Sequence, residues 1–196
     1  MKNEPKNILI VRTDRIGDLI LTLPLAGLIK KHYPDSRVSF LVREYTKNIV
    51  SNHPFVDEVI VLKESDGNVP LFENVNIIKQ KKFDYCIVVY PRFKISLIVF
   101  LSRIKNRIGT GYRWYSFLFN RKVYEHRKNA ERHELEYNVN LLEKLGVKTN
   151  VSDSSVSYDL RVDESSLQKV IKILIDEKID LQKPIIIVHP GSGGSS

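Results

Sequence analysis

The sequence predicts an α/β fold built on a doubly wound parallel sheet. Three observations carry that expectation. Short runs of branched apolar residues, such as Asn7-Ile8-Leu9-Ile10-Val11 and Tyr85-Cys86-Ile87-Val88-Val89, read as strands buried on both faces. Segments with helical apolar spacing separate those runs in turn. Charged and glycine residues gather just after the strands, where ligand crevices open in such sheets.

Residues 7–11 form the first strand. The loop Arg12 to Gly17 leads into an apolar helix pattern ending near His32. Pro24 lies inside that pattern and removes a backbone donor, so the helix either kinks there or starts late with Thr22 as its cap. Residues 37–42 and 56–62 read as the second and third strands, with a short helix over 46–52 between them. The polar stretch 63–70 precedes a helix over 71–81. The fourth strand covers 84–89, a helix 95–103, and a short strand 106–109 enters the loop 110–113.

A helix over 133–145 carries Leu135, Val139, Leu142 and Leu145 on one stripe, and Gly146 stands where a C-terminal cap belongs. Asp163 caps a further helix whose stripe is Leu167, Val170, Ile171 and Leu174. After Lys183-Pro184, the run Ile185-Ile186-Ile187-Val188 reads as a strand, followed by His189-Pro190-Gly191-Ser192-Gly193-Gly194. A strand joined to a glycine-rich turn resembles the opening of a second Rossmann-like unit, a phosphate cradle. A flexible Gly/Ser linker is the plainer reading of the same glycines.

With 196 residues the chain is long enough for one full domain and short for two. The expected division is 1–182 and 183–196. The net charge of +8 suits phosphates, nucleic acid or anionic headgroups as partners, and suits a merely solvated surface equally well. Cys86, the one cysteine, excludes an internal disulfide and reads as a buried structural thiol. No run approaches the roughly 20 apolar residues of a membrane span, and the first residues do not read as a signal peptide. A cytoplasmic protein is expected, with contact at a membrane surface left open.

The candidate chemistry lies in three crevice loops. Asp18 follows Gly17 at a helix start, where the dipole favours a carboxylate. It suits a general base that takes a proton from an acceptor hydroxyl; a plain helix N-cap is the alternative, and Asp14 is a rival carboxylate that spacing does not separate from it. Arg12 and Arg15, Arg92 and Lys94, and Arg113 bring cations to the same crevice, which suits a phosphorylated or carboxylated acceptor. At least two of these five should point to bulk solvent.

A second basic run, Arg121-Lys122, Arg127-Lys128 and Arg132, follows the aromatics Trp114, Tyr115, Phe117 and Phe119. A packed loop with a solvated face, a membrane-interface segment and nucleic-acid binding rank in that order; nucleic acid is not an expected partner. His133 and Glu136, one helical turn apart, read as a helix-start network sooner than a ligand pair. Metal-ligand spacing, an Asp-x-Asp motif, a Walker loop and a nucleophile elbow are all missing from the sequence, so no metal or cofactor is expected.

These residues together resemble glycosyltransferase family nine, the bacterial lipopolysaccharide heptosyltransferases. The opening Ile8 to Arg12, Ile16-Gly17-Asp18-Leu19 and Thr22-Leu23-Pro24-Leu25 carry the resemblance most specifically. Asn52-His53-Pro54 with Val56 to Val59, Arg107-Ile108-Gly109, the set His133, Glu136 and Asn138 with Leu145-Gly146, and Ile187 to Gly194 support it. The resemblance implies the N-terminal, acceptor-binding domain of a GT-B enzyme that transfers heptose from ADP-heptose to the lipopolysaccharide inner core, inverting and metal-independent. Asp18 then matches the catalytic base, and Gly191, Ser192, Gly193 and Gly194 fall where donor phosphates are approached. It further implies that a donor-binding half should follow, supplied by a longer reading frame or by a separate C-terminal chain, and that the 196 residues alone are inactive. Two other readings stay open: a non-catalytic acceptor-binding module, and a membrane-surface protein acting through 112–128. Titrating ADP-heptose into the 196-residue polypeptide by calorimetry should therefore give no tight binding; tight binding would place the donor pocket within this sequence.

Overall fold

The computed structural model describes residues 4–65, 67–125, 132–149, 151 and 156–188. Two compact units meet between Arg161 and Val162. The first holds a six-stranded sheet in which every strand is parallel, in the order β3-β2-β1-β4-β5-β6. Its elements are β1 (Asn7–Val11), α1 (Ile16–Ile20), α2 (Pro24–His32), β2 (Arg37–Val42), α3 (Lys47–Ser51), β3 (Glu58–Val61), α4 (Leu71–Gln80), β4 (Tyr85–Val88), α5 (Phe93–Leu101), β5 (Asn106–Thr110), β6 (Arg121–Val123) and α6 (Glu134–Asn140). The expected α/β doubly wound sheet is the fold observed.

Strand geometry explains why the apolar runs are continuous. Successive side chains point to opposite faces, and in β1 Ile8 and Ile10 enter one core while Leu9 and Val11 enter the other. Leu25, Ala26 and Ile29 of α2 and Leu135 and Val139 of α6 cover the first face. Val75 and Ile78 of α4 and Ile95, Ile98 and Val99 of α5 cover the second. Each such fully buried Leu, Ile or Val contributes about 1.5–3 kcal/mol. Cys86 is wholly buried in β4, and burial pushes its thiol far above the ordinary range, as expected of a structural cysteine.

The long first helix pattern splits in two. Pro24 opens α2 at its first position, where the missing N–H costs nothing. Thr22 does not cap α2: its Oγ1 donates to the Asp18 carbonyl at 2.8 Å and so binds the break back onto α1. The expected helix 133–145 is α6 followed by a 3-10 turn over 141–144, and Gly146 closes it with φ +103. Strand β6 was not expected from the sequence. Arg121, read there as part of a basic surface run, donates to Asn106 Oδ1 and the Lys144 carbonyl, and its guanidinium lies over the Tyr85 ring. Arg132 pairs with Glu125 at 3.1 Å; Arg127 and Lys128 lie outside the described residues.

In the second unit Asp163 caps α7 (Glu164–Asp176), accepting from the Ser166 N–H at 2.9 Å. Hydrogen bonds from Ser165 and Ser166 hold its carboxyl well below the usual range. The strand expected over 185–188 is not formed. Ile186 and Ile187 are each 87 % exposed. A strand needs a neighbour for its backbone groups, and among the described residues the second unit holds no other strand. Among the described residues no helix is long and apolar enough to cross a membrane.

Gly109 fixes the end of β5, from which one crevice loop departs. A Cβ there would stand 2.8 Å from the ring of Phe119, which is itself buried. Gly109→Ala should therefore overpack the site and destabilise the protein by about 1–3 kcal/mol in urea unfolding; an unchanged midpoint would mean that the Phe119 ring gives way freely.

Candidate active site at the carboxyl edge of the sheet

The strand order reverses direction between β1 and β4, so the crevice of a doubly wound sheet opens beyond the carboxyl ends of these two strands. The β1 chain leaves Val11 directly into Arg12, Thr13 and Asp14, all buried. Arg12 is 2 % exposed. Its Nε and Nη2 donate to the two carboxylate oxygens of Asp14 at 2.6 and 2.9 Å, a bidentate fork. Nη2 also lies 3.1 Å from Asp18 Oδ1, and Nη1 lies 3.1 Å from Glu134 Oε1. One guanidinium thus gathers carboxylates from the β1 loop, from α1 and from α6.

The structure separates the two aspartates that spacing left equal. The Asp14 side chain is 6 % accessible and the Asp18 side chain 34 %. Asp14 is committed to Arg12; burial pushes its carboxyl up, against the pull of the Arg12 charge and hydrogen bond and with a further push from Asp18. Asp18 keeps an open side toward the crevice. It is not a helix cap either, because Arg15 holds that position in α1 and Asp18 lies in the first turn. An oriented, accessible carboxylate at this position can accept a proton from a bound hydroxyl.

The five expected cations do not act as one set. Arg12 is not available to an acceptor: burial and three carboxylate partners make it the internal support of the site. Arg15 is exposed beside it. Arg92 is exposed in the loop after β4, with its guanidinium 5.7 Å from the Tyr90 ring centre; Arg12 lies 5.6 Å from that same ring. Tyr90 therefore links the buried cation to the exposed one. Lys94 Nζ donates to Asn68 Oδ1 at 2.6 Å, and Arg113 is exposed in the loop after β5. Gly191, Ser192, Gly193 and Gly194 lie outside the described residues.

Sequence reasoning missed Glu134, Tyr90 and Tyr45. The Tyr45 hydroxyl donates to the Asp14 carbonyl from the loop after β2. That loop also leaves the carboxyl edge of the sheet, and this position is the signal that could have singled it out. Glu134 sits inside a motif that was noticed for its neighbours. His133 Nδ1 accepts from the Leu135 N–H at 3.3 Å, and Glu136 Oε1 accepts from the His133 N–H at 3.4 Å, the reciprocal capping network anticipated for this helix start. Asn138 is wholly buried and donates to the Leu21 carbonyl at 3.0 Å, which ties α6 to the α1–α2 break. Among the described residues no three His, Cys, Asp or Glu side chains are placed to hold a metal ion.

The chain is similar in sequence and in fold to known glycosyltransferases. A putative glycosyltransferase of Haemophilus influenzae is 28 % identical over 193 residues, 97 % of this chain and 56 % of that protein. Lipopolysaccharide heptosyltransferase 3 of Escherichia coli is 25 % identical over 148 residues, 72 % of this chain and 44 % of that one. The crystal structure of a family 9 glycosyl transferase from Veillonella parvula superposes with a TM-score of 0.75 at 22 % identity, over 92 % of this chain and 52 % of that one. The chain resembles the family 9 glycosyltransferases over most of its length. The sheet described above has the fold of the N-terminal, Rossmann-like domain in their GT-B architecture. The chain spans about half the length of the relatives it matches. No protein-family model matches it.

Arg12→Met would leave Asp14 buried without its partner. Breaking one side of a buried pair costs about 3–5 kcal/mol, and urea unfolding at pH 7 should register that loss. Asp14 already titrates above its ordinary value in the fold. Such a group contributes stability below its unfolded value of about 3.9 and loses it as pH rises through the folded value. Removing Arg12 raises the folded value further, so the loss should shrink between pH 7 and pH 5; an equal loss at both would mean that Asp14 does not bear the cost.

Proposed function

We propose that this chain supplies the acceptor-binding part of an inverting glycosyltransferase that moves heptose from ADP-heptose to the lipopolysaccharide inner core. The observation that carries the reading is Asp18, a half-open carboxylate held by a buried guanidinium at the point where the strand order reverses. Residues 1–182 form the acceptor side. Residues 183–196, with Gly191 to Gly194, open the side that meets the donor phosphates.

In this reading the acceptor hydroxyl lies against Asp18. Its oxygen attacks the anomeric carbon of the donor from the face opposite the diphosphate. The new C–O bond forms as the bond to the phosphate oxygen breaks, ADP leaves with the electron pair, and the hydroxyl proton passes to Asp18. Attack from the opposite face inverts the centre. No metal enters the scheme: residues 191–194 and cationic side chains are the groups assigned to the diphosphate charge. Arg15, Arg92, Lys94 and Arg113 face the carboxylates and phosphates of the acceptor. An acceptor anchored in lipid brings the enzyme to the cytoplasmic face of the inner membrane as a peripheral protein. Family resemblance supports the donor and the acceptor class; the geometry supports the base.

The test is a transfer assay on the protein encoded by the whole open reading frame, with ADP-heptose and inner-core acceptor. Asp18→Asn keeps the shape and loses the base, so kcat should fall by about 100- to 10,000-fold with little change in KM for the acceptor. Full kcat in that variant would remove Asp18 from the chemistry.

A further inference from the structure

The first residue of α5 and the loop after β5 carry an exposed aromatic group that the chemistry at Asp18 does not use. Phe93 and Trp114 stack with ring centres 4.8 Å apart and planes 29° from parallel. Trp114 is nonetheless 73 % exposed, so most of its ring is open to a ligand. Tyr115 buttresses the pair, edge-on to Trp114 at 5.3 Å, and its hydroxyl donates to the Pro91 carbonyl at 2.7 Å. Ser116 locks the loop: its Oγ accepts from the Arg113 N–H at 2.9 Å and donates to the Thr110 carbonyl at 2.7 Å. The platform is therefore formed before any ligand arrives, which lowers the ordering cost of binding.

Its surroundings say what it takes. Arg92 precedes Phe93 and Arg113 precedes Trp114, so an exposed guanidinium adjoins each ring in sequence. Arg92 also reaches back through Tyr90 to Arg12 and hence to Asp18. The strip from Asp18 to Trp114 follows the carboxyl edge of the sheet. A pyranose ring has one face of C–H bonds that lies flat on an indole, and a carboxylate or phosphate on its rim pairs with a guanidinium. We propose that the Phe93–Trp114 stack, flanked by Arg92 and Arg113, is a subsite for an anionic sugar of the acceptor, beyond the sugar whose hydroxyl reacts. The inference rests on the reading of Asp18 as the base of a sugar transferase. A lipid bilayer is the competing occupant. A flat, pre-formed stacked face between two exposed arginines on the carboxyl edge of the sheet fits a sugar ring better than it fits insertion into lipid.

Trp114 is the one tryptophan in the chain, so its fluorescence reports on this surface alone. The 196-residue chain would be titrated with the soluble oligosaccharide released from lipopolysaccharide inner core by full deacylation, its carboxylates and phosphates retained. A parallel titration would use vesicles of equal parts phosphatidylglycerol and phosphatidylcholine. The expected result is a saturable change in Trp114 emission with the oligosaccharide and none with vesicles. Arg113→Ala, which keeps the reporter, should weaken binding about tenfold. Trp114→Ala should weaken it by a similar factor in calorimetry, and Trp114→Phe, which keeps a ring, should weaken it less. A blue shift with vesicles and silence with the oligosaccharide would make this a bilayer-docking surface and overturn the proposal. Silence with both would overturn it too. Oligosaccharide binding that survives Trp114→Ala unchanged would place the acceptor elsewhere and sink the subsite; the transfer assay of Asp18→Asn would still decide the role of the base independently.

Discussion

A guanidinium buried to 2 % exposure is costly to desolvate, by several kcal/mol even after relaxation, and the fold depends on how Arg12 is compensated. Asp14 takes two of its donors within the same loop, Asp18 comes from the next helix, and Glu134 comes from 122 residues further along. A planar fork with donors on several edges can serve three carboxylates at once; an ammonium on a flexible stem has no such fixed geometry. The interaction is therefore both a stability constraint and a positional one. The open carboxylate of Asp18 is aimed by a group whose own position requires α6 to be docked, and α6 is docked through Asn138 onto the Leu21 carbonyl.

The two edges of the sheet use charge differently. At the amino edge, Asp84 accepts from the Lys6 and Asn7 N–H groups, and Asp57 accepts from the Val38 N–H and pairs with Lys30. These carboxylates satisfy backbone donors at strand starts. Burial works against the charged form of Asp57, yet hydrogen bonds from Lys30 and Val38 with the nearby charge hold it below the ordinary range. At the carboxyl edge, Asp14 is spent internally on a side chain instead, the Arg12 guanidinium. Asp18, Arg15, Arg92 and Arg113 keep exposed surface there, and loops at this edge are free to carry function because the strands behind them are rigid.

Much of the scaffold was legible because burial on both faces writes itself as unbroken branched apolar runs, as in residues 7–11 and 85–89. Strand β6 was not legible: it is three residues long, carries Arg121 and Lys122, and is held by pairing with β5 and not by its own hydrophobicity. The run 185–188 has the apolar pattern of a strand but not its form, since pattern alone does not make a strand without a partner. In the site, the loop carrying Asp14 and Asp18 was legible from its place after β1, but which of the two carboxylates stays open was not. The role of Arg12 was not, because a sequence gives no sign that a cation turns inward. Glu134 escaped for a related reason: the partner it meets lies on the far side of the chain in sequence, and its local motif points to capping.

The charge balance at the crevice has a consequence for how an acceptor is oriented. The chain as a whole carries +8, which draws anionic molecules toward it. At the centre, however, one guanidinium faces three carboxylates, a formal charge of −2. A phosphate or carboxylate is repelled from that spot at close range, and a neutral hydroxyl is not. On the proposed reading the charged groups of an acceptor would be held outward, at Arg92 and Arg113, and its hydroxyl would be the part that reaches Asp18. In the proposed reaction, attraction at long range and repulsion at short range together select which end of the acceptor meets the base.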